Sequence, residues 1–459
     1  MRIEVIYPLS LAAIALAMDQ FDPSRYASDD VITRDIAIIG GGSSGIYSAM
    51  NLKAEGKSVV VVEKDEILGG HTRTWVDPNT GVAVNYGLQA YYNNSAAVDY
   101  FALLDIDTAL PSFPSVNVVH LDFQTGKPVN VQTSGNYDGY EKQLDEYPYL
   151  AYSWDLPTPV PADLLLPFSD FIHKYDIGDE VYDIFSAGRG LTNILDQLTI
   201  NVMKMVDNSY FNSQAGESLA PANGKNDEIY TVALGRLGND ALLSSTVTAA
   251  QRYNNSTQQV RLVVKTPSGS KLIQAKKILI TAPPLVNNLQ PFDLDVKETG
   301  LFSQWSYSNY FIMLLNNTGL PAGYEYLNAN SSSSTFNTPQ LPAPYLITAT
   351  KDPNIFYSWY ASPHDITQAE VEADVTDIIR RLRKTANSTV TTDPEFLEFH
   401  SHTPFKLVAD ADAITGGFYE KLKQLQGYRN TWYTGAAFIS HDSSVLWNYT
   451  RYEVLPLLS

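Results

Sequence analysis

The amino-acid sequence predicts an α/β protein: an open, largely parallel sheet assembled from three separated segments, carrying an inserted part of mixed sheet and helix. Three observations carry that prediction. Residues 35–63 read as strand, glycine-rich turn, helix and strand. Segments 225–290 and 410–459 return to short apolar strands that end in small residues or prolines. The blocks between them, 91–224 and 291–409, are rich in aromatics and proline and contain no second turn of the first kind.

The first unit shows the most chemistry. Ile36–Ile39 is a short apolar run, as expected of a strand buried on both faces. Gly40, Gly42 and Gly45 follow in GxGxxG spacing, and Ser43 and Ser44 lead into a helix that Gly56 can close. Val59–Val62 is the second strand, and Glu63 ends it. In such a unit the first glycine permits a tight turn, the second lets backbone approach a pyrophosphate, and the third lets helix and strand pack closely. The helix start offers unpaired N–H groups to the phosphates, and the acid beyond the second strand accepts hydrogen bonds from a ribose diol. The unit is therefore a Rossmann-like dinucleotide site.

The other elements follow in order. Asp19–Thr33 reads as a polar linker. Gly69-Gly70-His71 would let backbone pass close to a ligand, and Trp75-Val76 with Val82–Asn85 reads as a hairpin around Gly81. PTPVPADLLLP at 157–167 marks a surface crossing. Ser245–Ala249 is a short strand, and Val260–Lys265 and Leu272–Thr281 form a strand pair that runs out into ILITAPP. Apolar residues at Val371, Val375, Ile378, Ile379 and Leu382 share one face of a helix over 370–384. The strand WYTGAAF, 432–438, and a helix over 441–457 close the chain. The domains expected are a cofactor domain from 33–90, 225–290 and 410–459, and a substrate domain from 91–224 and 291–409.

Composition narrows the partners. The 459 residues carry a net charge of −19, which excludes the clustered Lys and Arg that nucleic acid requires and disfavours anionic membrane surfaces. No cysteine is present, so disulfides, thiolate metal sites and a cysteinyl-linked cofactor are excluded. Arg2 before the apolar run Val5–Ala17 favours a signal peptide over residues 1–17, too short to span a bilayer. Sequons at Asn93, Asn254, Asn255, Asn316, Asn330, Asn387 and Asn448 fit a secreted glycoprotein.

Four motifs in this order (GGGSSG with Glu63, Gly69-Gly70, ILITAPP and WYTGAAF) resemble the FAD-dependent amine oxidase-like superfamily, which includes flavin monoamine oxidases and phytoene desaturase-like enzymes. The resemblance runs from about residue 33 to the end. GGHTRTW and LQGYRNTWYTGAAFISHDSSVLW look most like the subgroup containing beta-cyclopiazonate dehydrogenase, and are similar to polyunsaturated fatty acid double-bond isomerases. The resemblance implies that Gly40, Gly42, Ser43, Ser44 and Gly45 surround the FAD pyrophosphate. It sets Glu63 and Lys64 at the adenosine ribose, Val247 at adenine, and Gly70 and His71 near the ribityl chain. Gly87, Leu88 and Gln89 are implied at the isoalloxazine ring, with Gly435, Ala436 and Val445 at the flavin end. Two departures stand out: His71 occupies the family's usual arginine position, and Ala436 its usual glutamate position. A non-covalent contact at His71 is favoured over a histidyl–flavin bond.

FAD takes hydride and the protein positions the donor, so no acid–base dyad is demanded and no catalytic residue is assigned. His120, His173, His364, His400 and His402 read as ordinary structural residues, and no metal site is expected. Tyr433, Tyr91 and Trp359 are the expected substrate-pocket aromatics. The function expected is a secreted FAD-dependent oxidase or dehydrogenase acting on a hydrophobic amine-bearing or polyene small molecule. The alternatives are a redox-neutral double-bond isomerase on the same motifs, and a binding protein that keeps the fold without turnover.

Overall fold

The computed structural model describes residues 20–459 apart from 132, 215, 217, 255–257, 331 and 333–335. The leader expected at 1–17 and the sequon at Asn255 lie outside the described residues. Beginning the sheet, β1 (Val31–Ile39) is followed by the helix Ser43–Ala54 and β2 (Val59–Val62). The expected hairpin is β3 (Thr74–Val76) with β4 (Ala83–Asn85). A small three-stranded sheet comes next, β5 (Tyr91–Tyr92) and β6 (Thr108–Ala109) flanking a later strand; β7 (Asn117–Asp122) and β8 (Lys127–Pro128) precede a run of short helices. That later strand is β9 (Ser218–Pro221).

The chain then re-enters the first sheet with β10 (Ala241–Leu242), β11 (Thr246–Gln251), β12 (Val260–Thr266) and β13 (Gly269–Ile280). β14 (Ser306–Asn316), β15 (Tyr324–Asn328), β16 (Ala343–Ala349), β17 (Phe356–Ser362), β18 (Glu395–Ser401) and β19 (Phe405–Val408) belong to the second large sheet, and β20 (Thr431–Tyr433) returns to the first.

The first sheet runs β10-β2-β1-β13-β12-β11. β13 is its centre. It lies parallel to β1 along its length, pairs antiparallel with β12 through its first half, and pairs parallel with β20 at Ile278–Ile280. Ile36, Ile38, Val59 and Val61 pack on the helix side, and Ala37, Val60, Ile278 and Ile280 pack on the other, so strands covered on both faces needed continuous apolar runs.

The second sheet runs β18-β14-β17-β16-β15-β7-β8, with β19 on β14. Here period two decides the faces. Phe311, Met313, Phe356 and Tyr360 meet the helix Gln368–Thr385 through Val371, Val375, Ile378, Ile379 and Leu382. Tyr310, Ile312, Tyr357 and Trp359 point the opposite way, toward the first sheet. A capping box between Thr367 and Glu370 starts that helix.

Two expectations need amendment. Residues 19–33 are not a free linker where described, because Phe21 is buried on Val263 and Leu272 and β1 begins at Val31. The closing helix is interrupted, since Ser443–Tyr449 passes through a π turn at Thr450–Val454 before Leu455–Leu458. Among the described residues no helix is long and apolar enough to cross a membrane.

A buried ion pair ties the first sheet to the helix Val296–Phe302. Arg252 and Glu298 are both fully buried and meet in a two-pronged contact at 2.7 and 2.8 Å. Arg252 also donates to Phe292 O and Thr431 Oγ1, and the Tyr433 hydroxyl donates to Glu298 at 3.0 Å. Glu298 has a second cation in Arg429 at 3.3 Å, whereas Arg252 has no other carboxylate among the described residues, so removing Glu298 leaves the Arg252 charge buried without an anion. Glu298→Gln is therefore expected to cost about 3–5 kcal/mol, read as a lowered midpoint in chemical denaturation at unchanged slope.

Candidate functional site

The carboxyl ends of β1, β2, β13 and β20 open onto one cavity of about 910 Å³ that runs from Glu63 to Trp359. Its first part is built by the turn after β1. The helix Ser43–Ala54 has Gly42 as N-cap and no side chain capping it, so its first-turn N–H groups face the cavity beside Gly42, Ser43 and Ser44. Gly45 sits behind this turn, outside the lining, where a Cβ would come 2.0 Å from the Gly40 carbonyl oxygen. Only glycine lets the helix start that near the strand. Gly42 differs, with φ of −82° and a Cβ position whose nearest neighbour is Gly70 Cα at 3.6 Å. Its free side is the cavity.

Glu63 is buried at the cavity wall, where its carboxylate accepts from the Gly41 N–H at 2.5 Å and the Asp65 N–H at 2.8 Å. Lys64 and Val247 line the same end. Gly70, His71, Gly87 and Leu88 line the middle with Gly435, Ala436 and Val445. Unpaired helix N–H groups, a neighbouring carboxylate and a long cleft ending among aromatic and imidazole rings fit a flavin dinucleotide. These residues would hold FAD with its phosphates at the helix start and its ring toward the second sheet.

Not every expected residue lies there. Gln89 lines a second cavity of about 580 Å³. Tyr433 is fully buried, hydrogen-bonded to Glu298 and stacked on Phe438. Tyr91 is fully buried against Trp447 and Phe101; strand alternation puts Tyr92, rather than Tyr91, on the cavity. Trp359 lines both cavities, and the guanidinium of Arg189 lies 4.5 Å from its ring centre.

Sequence reasoning set aside the residues that gather at the far end: His400 and His402 meet His71 and His441 there. His71 and His402 stack with ring centres 4.0 Å apart, and His400 Nε2 lies 3.2 Å from the Gly70 carbonyl oxygen. No local signal joins β18 to the glycine pair; their contact is made only by sheet packing. His71 lies exposed on the cavity wall, where enclosure by the surrounding protein pushes it down to about 3 with the charges of His400 and Arg73 adding to it, and burial with Arg73 pushes His400 down to about 4. Burial also holds His402 and His441 well below the usual imidazole range. All four are neutral near pH 7. His400 then carries its proton on Nε2, facing Gly70 O, and keeps its Nδ1 lone pair. His441 Nε2 accepts the Lys406 N–H at 2.9 Å, so its proton is on Nδ1. Among the described residues no group of three or more His, Asp or Glu side chains is arranged to hold a metal ion.

The rings of His120 and His173 pack against Tyr182 and Phe336, and the main-chain N–H of His364 donates to the Ser362 hydroxyl.

The fold and this site define a Rossmann-type flavoprotein. A family model for an NAD(P)-binding Rossmann-like domain matches residues 38–105. The chain is 42% identical over 457 residues to the FAD-dependent oxidoreductase pigF of Monascus ruber, covering 98% of this chain and 97% of that one. It is 32% identical over 435 residues to beta-cyclopiazonate dehydrogenase of Aspergillus oryzae, covering 93% of each chain. A fatty acid isomerase from P. acnes shares the fold at a TM-score of 0.71 and 18% identity, over 94% of this chain and all of that one. Putrescine oxidase shares it at 0.63 and 14%, over 92% and 98%. The chain belongs to the family of FAD-dependent oxidoreductases that includes beta-cyclopiazonate dehydrogenase. It is an FAD-dependent enzyme.

Two predictions follow from the geometry. Gly42→Ala has a permissive backbone and a Cβ that meets nothing nearer than Gly70 Cα at 3.6 Å, so the fold should survive while FAD content of the purified protein falls at least tenfold; Gly45→Ala should lower the thermal midpoint itself. The second concerns Asp442, which caps the helix Ser443–Tyr449 by accepting from the Ser444 and Val445 N–H groups. Burial pushes its carboxyl up to about 7, and the charge of Asp207 adds to that. A raised carboxyl favours the folded state at low pH, and that contribution is lost as pH rises through 7. Asp442→Asn keeps a capping oxygen and removes the titration, so thermal midpoints measured between pH 4 and 8 should fall less steeply than in the parent.

Proposed function

We propose that this enzyme takes hydride from a hydrophobic small molecule bearing an amine or a polyene, working as an oxidase or dehydrogenase. One observation carries the reading: a single cavity joins the phosphate-gripping helix start to a pocket walled by Tyr310, Ile312, Trp359 and Phe405. Bound FAD supplies the hydride acceptor at its N5 atom. The chain's own residues do the rest. The aromatic and aliphatic walls exclude water and orient an apolar donor above the ring. The neutral imidazoles, with Arg73 contributing positive charge nearby, favour the uncharged form of a bound amine, the form that can give up hydride. The names of the related oxidoreductases support redox turnover. The leader at 1–17 and the sequons support placement in the secretory pathway, where purified protein would begin after Ala17.

The purified protein should be yellow, and its flavin absorbance should bleach when substrate is added without oxygen. A product two hydrogens lighter, or released peroxide, supports the proposal. An unchanged mass with a displaced double bond would make the enzyme an isomerase. Protein that takes up no FAD on reconstitution would sink the reading.

A further inference from the structure

We propose that Arg189 anchors a delocalised oxyanion, a carboxylate or an acidic enolate, on the otherwise hydrophobic substrate, and so sets which substrates this enzyme accepts. The inference rests on the reading of the main cavity as the site of a hydrophobic substrate. Arg189 stands in Gly188-Arg189-Gly190, directly after the helix Val181–Ala187, and its side chain lines both cavities. Together with Trp359 it forms the partition between them.

Its isolation is what points to a ligand. Arg34, Arg73, Arg236, Arg252, Arg380, Arg429 and Arg451 each pair with a carboxylate. Arg261, Arg381 and Arg383 donate to main-chain carbonyl oxygens. Among the described residues Arg189 makes neither kind of contact, in a chain carrying 50 acidic and 31 basic residues. Its guanidinium lies over the face of Trp359, 4.5 Å from the ring centre, and none of its N–H donors is hydrogen-bonded to a described residue. Arg189 is half-buried at the cavity wall, so an anion entering the cavity would meet a guanidinium paired with no carboxylate.

The segment that carries it is built to stay still. The Tyr345 hydroxyl accepts the N–H groups of both Gly190 and Thr192, each at 3.2 Å, and Ser308 donates to Gly190 O at 2.8 Å. Gly190 has φ of +95°, and a Cβ there would lie 2.2 Å from the Phe405 ring, so the loop is wedged against the pocket wall. The fork is thus pre-set over an apolar space, and a planar two-oxygen anion matches it in both charge and shape. An amine headgroup would be repelled from the same place, leaving a substrate amine, where there is one, to lie elsewhere in the cavity.

The test uses FAD-loaded enzyme and four ten-carbon-chain probes: decanoate, decanol, decylamine and 2-decanoylcyclohexane-1,3-dione, the last an enolate at neutral pH. Binding is followed by calorimetry and by perturbation of the flavin spectrum. Decanoate or the enolate is expected to bind at least tenfold more tightly than decanol and decylamine, and the tighter of the two identifies the headgroup. Arg189→Met should abolish that preference while decanol binding stays within threefold and flavin content is unchanged. Arg189→Lys should keep part of it, because a point charge replaces the fork. Equal binding of all probes, tightest binding of decylamine, or an anion preference that survives Arg189→Met would each overturn the assignment. If the protein lacked flavin absorbance before any probe was added, the flavoprotein reading would fail instead, and calorimetry on the same protein would still decide the anion preference.

Discussion

The contact on which the molecule depends is the meeting of two strand ends at Thr281. This residue follows β13, and its hydroxyl donates to the Ile39 carbonyl oxygen at 2.9 Å and reaches Gly40 O at 3.3 Å. A Cβ on Gly40 would lie 2.4 Å from Thr281 Oγ1, and one on Gly45 would strike the Gly40 carbonyl. The turn, the helix start and the central strand can therefore occupy this space only without side chains in it. If they separate, the helix N–H groups no longer face the cavity at the point where phosphates must sit. The parallel pairing of β20 with the last three residues of β13 brings Gly435 to the same rim.

Electrostatics inside the cavity differ from those of the chain as a whole. A net charge of −19 would repel a dinucleotide, yet its phosphates are met by backbone donors that cannot titrate. At the opposite end, four imidazoles are kept neutral by enclosure within the protein and by one another's company, and Arg189 holds the available positive charge against Trp359. Acidic residues over the rest of the surface leave these few groups to set the local potential, because low-dielectric walls strengthen near charges relative to distant ones.

The site was legible in the sequence at one end and opaque at the other. Gly40, Gly42, Gly45 and Glu63 lie within one strand–helix–strand unit, so their spacing alone implied a phosphate turn and an acid at its rim. Trp359 was reachable because alternation along β17 separates it from Phe356 and Tyr360. Tyr91 and Tyr433 show where the same reasoning fails. Each adjoins a residue that lines the cavity, but a strand turns neighbours to opposite faces, and which face looks at the cavity depends on what packs behind it. His400 and Gly70 are 330 positions apart, and no periodicity connects them.

What the sequence by itself determined was local: apolar runs that must be strands, glycines where no Cβ fits, a helix with a polar start, and the absence of any thiol chemistry. These are properties of short segments, set by backbone sterics and by the solvation of nearby side chains. The tertiary structure alone decided which rings face the flavin end, that the histidines gather there uncharged, and that Arg189 stands without an anion. Those properties arise from the packing of the second sheet across the first, which depends on contacts between segments hundreds of residues apart and leaves no trace in local spacing.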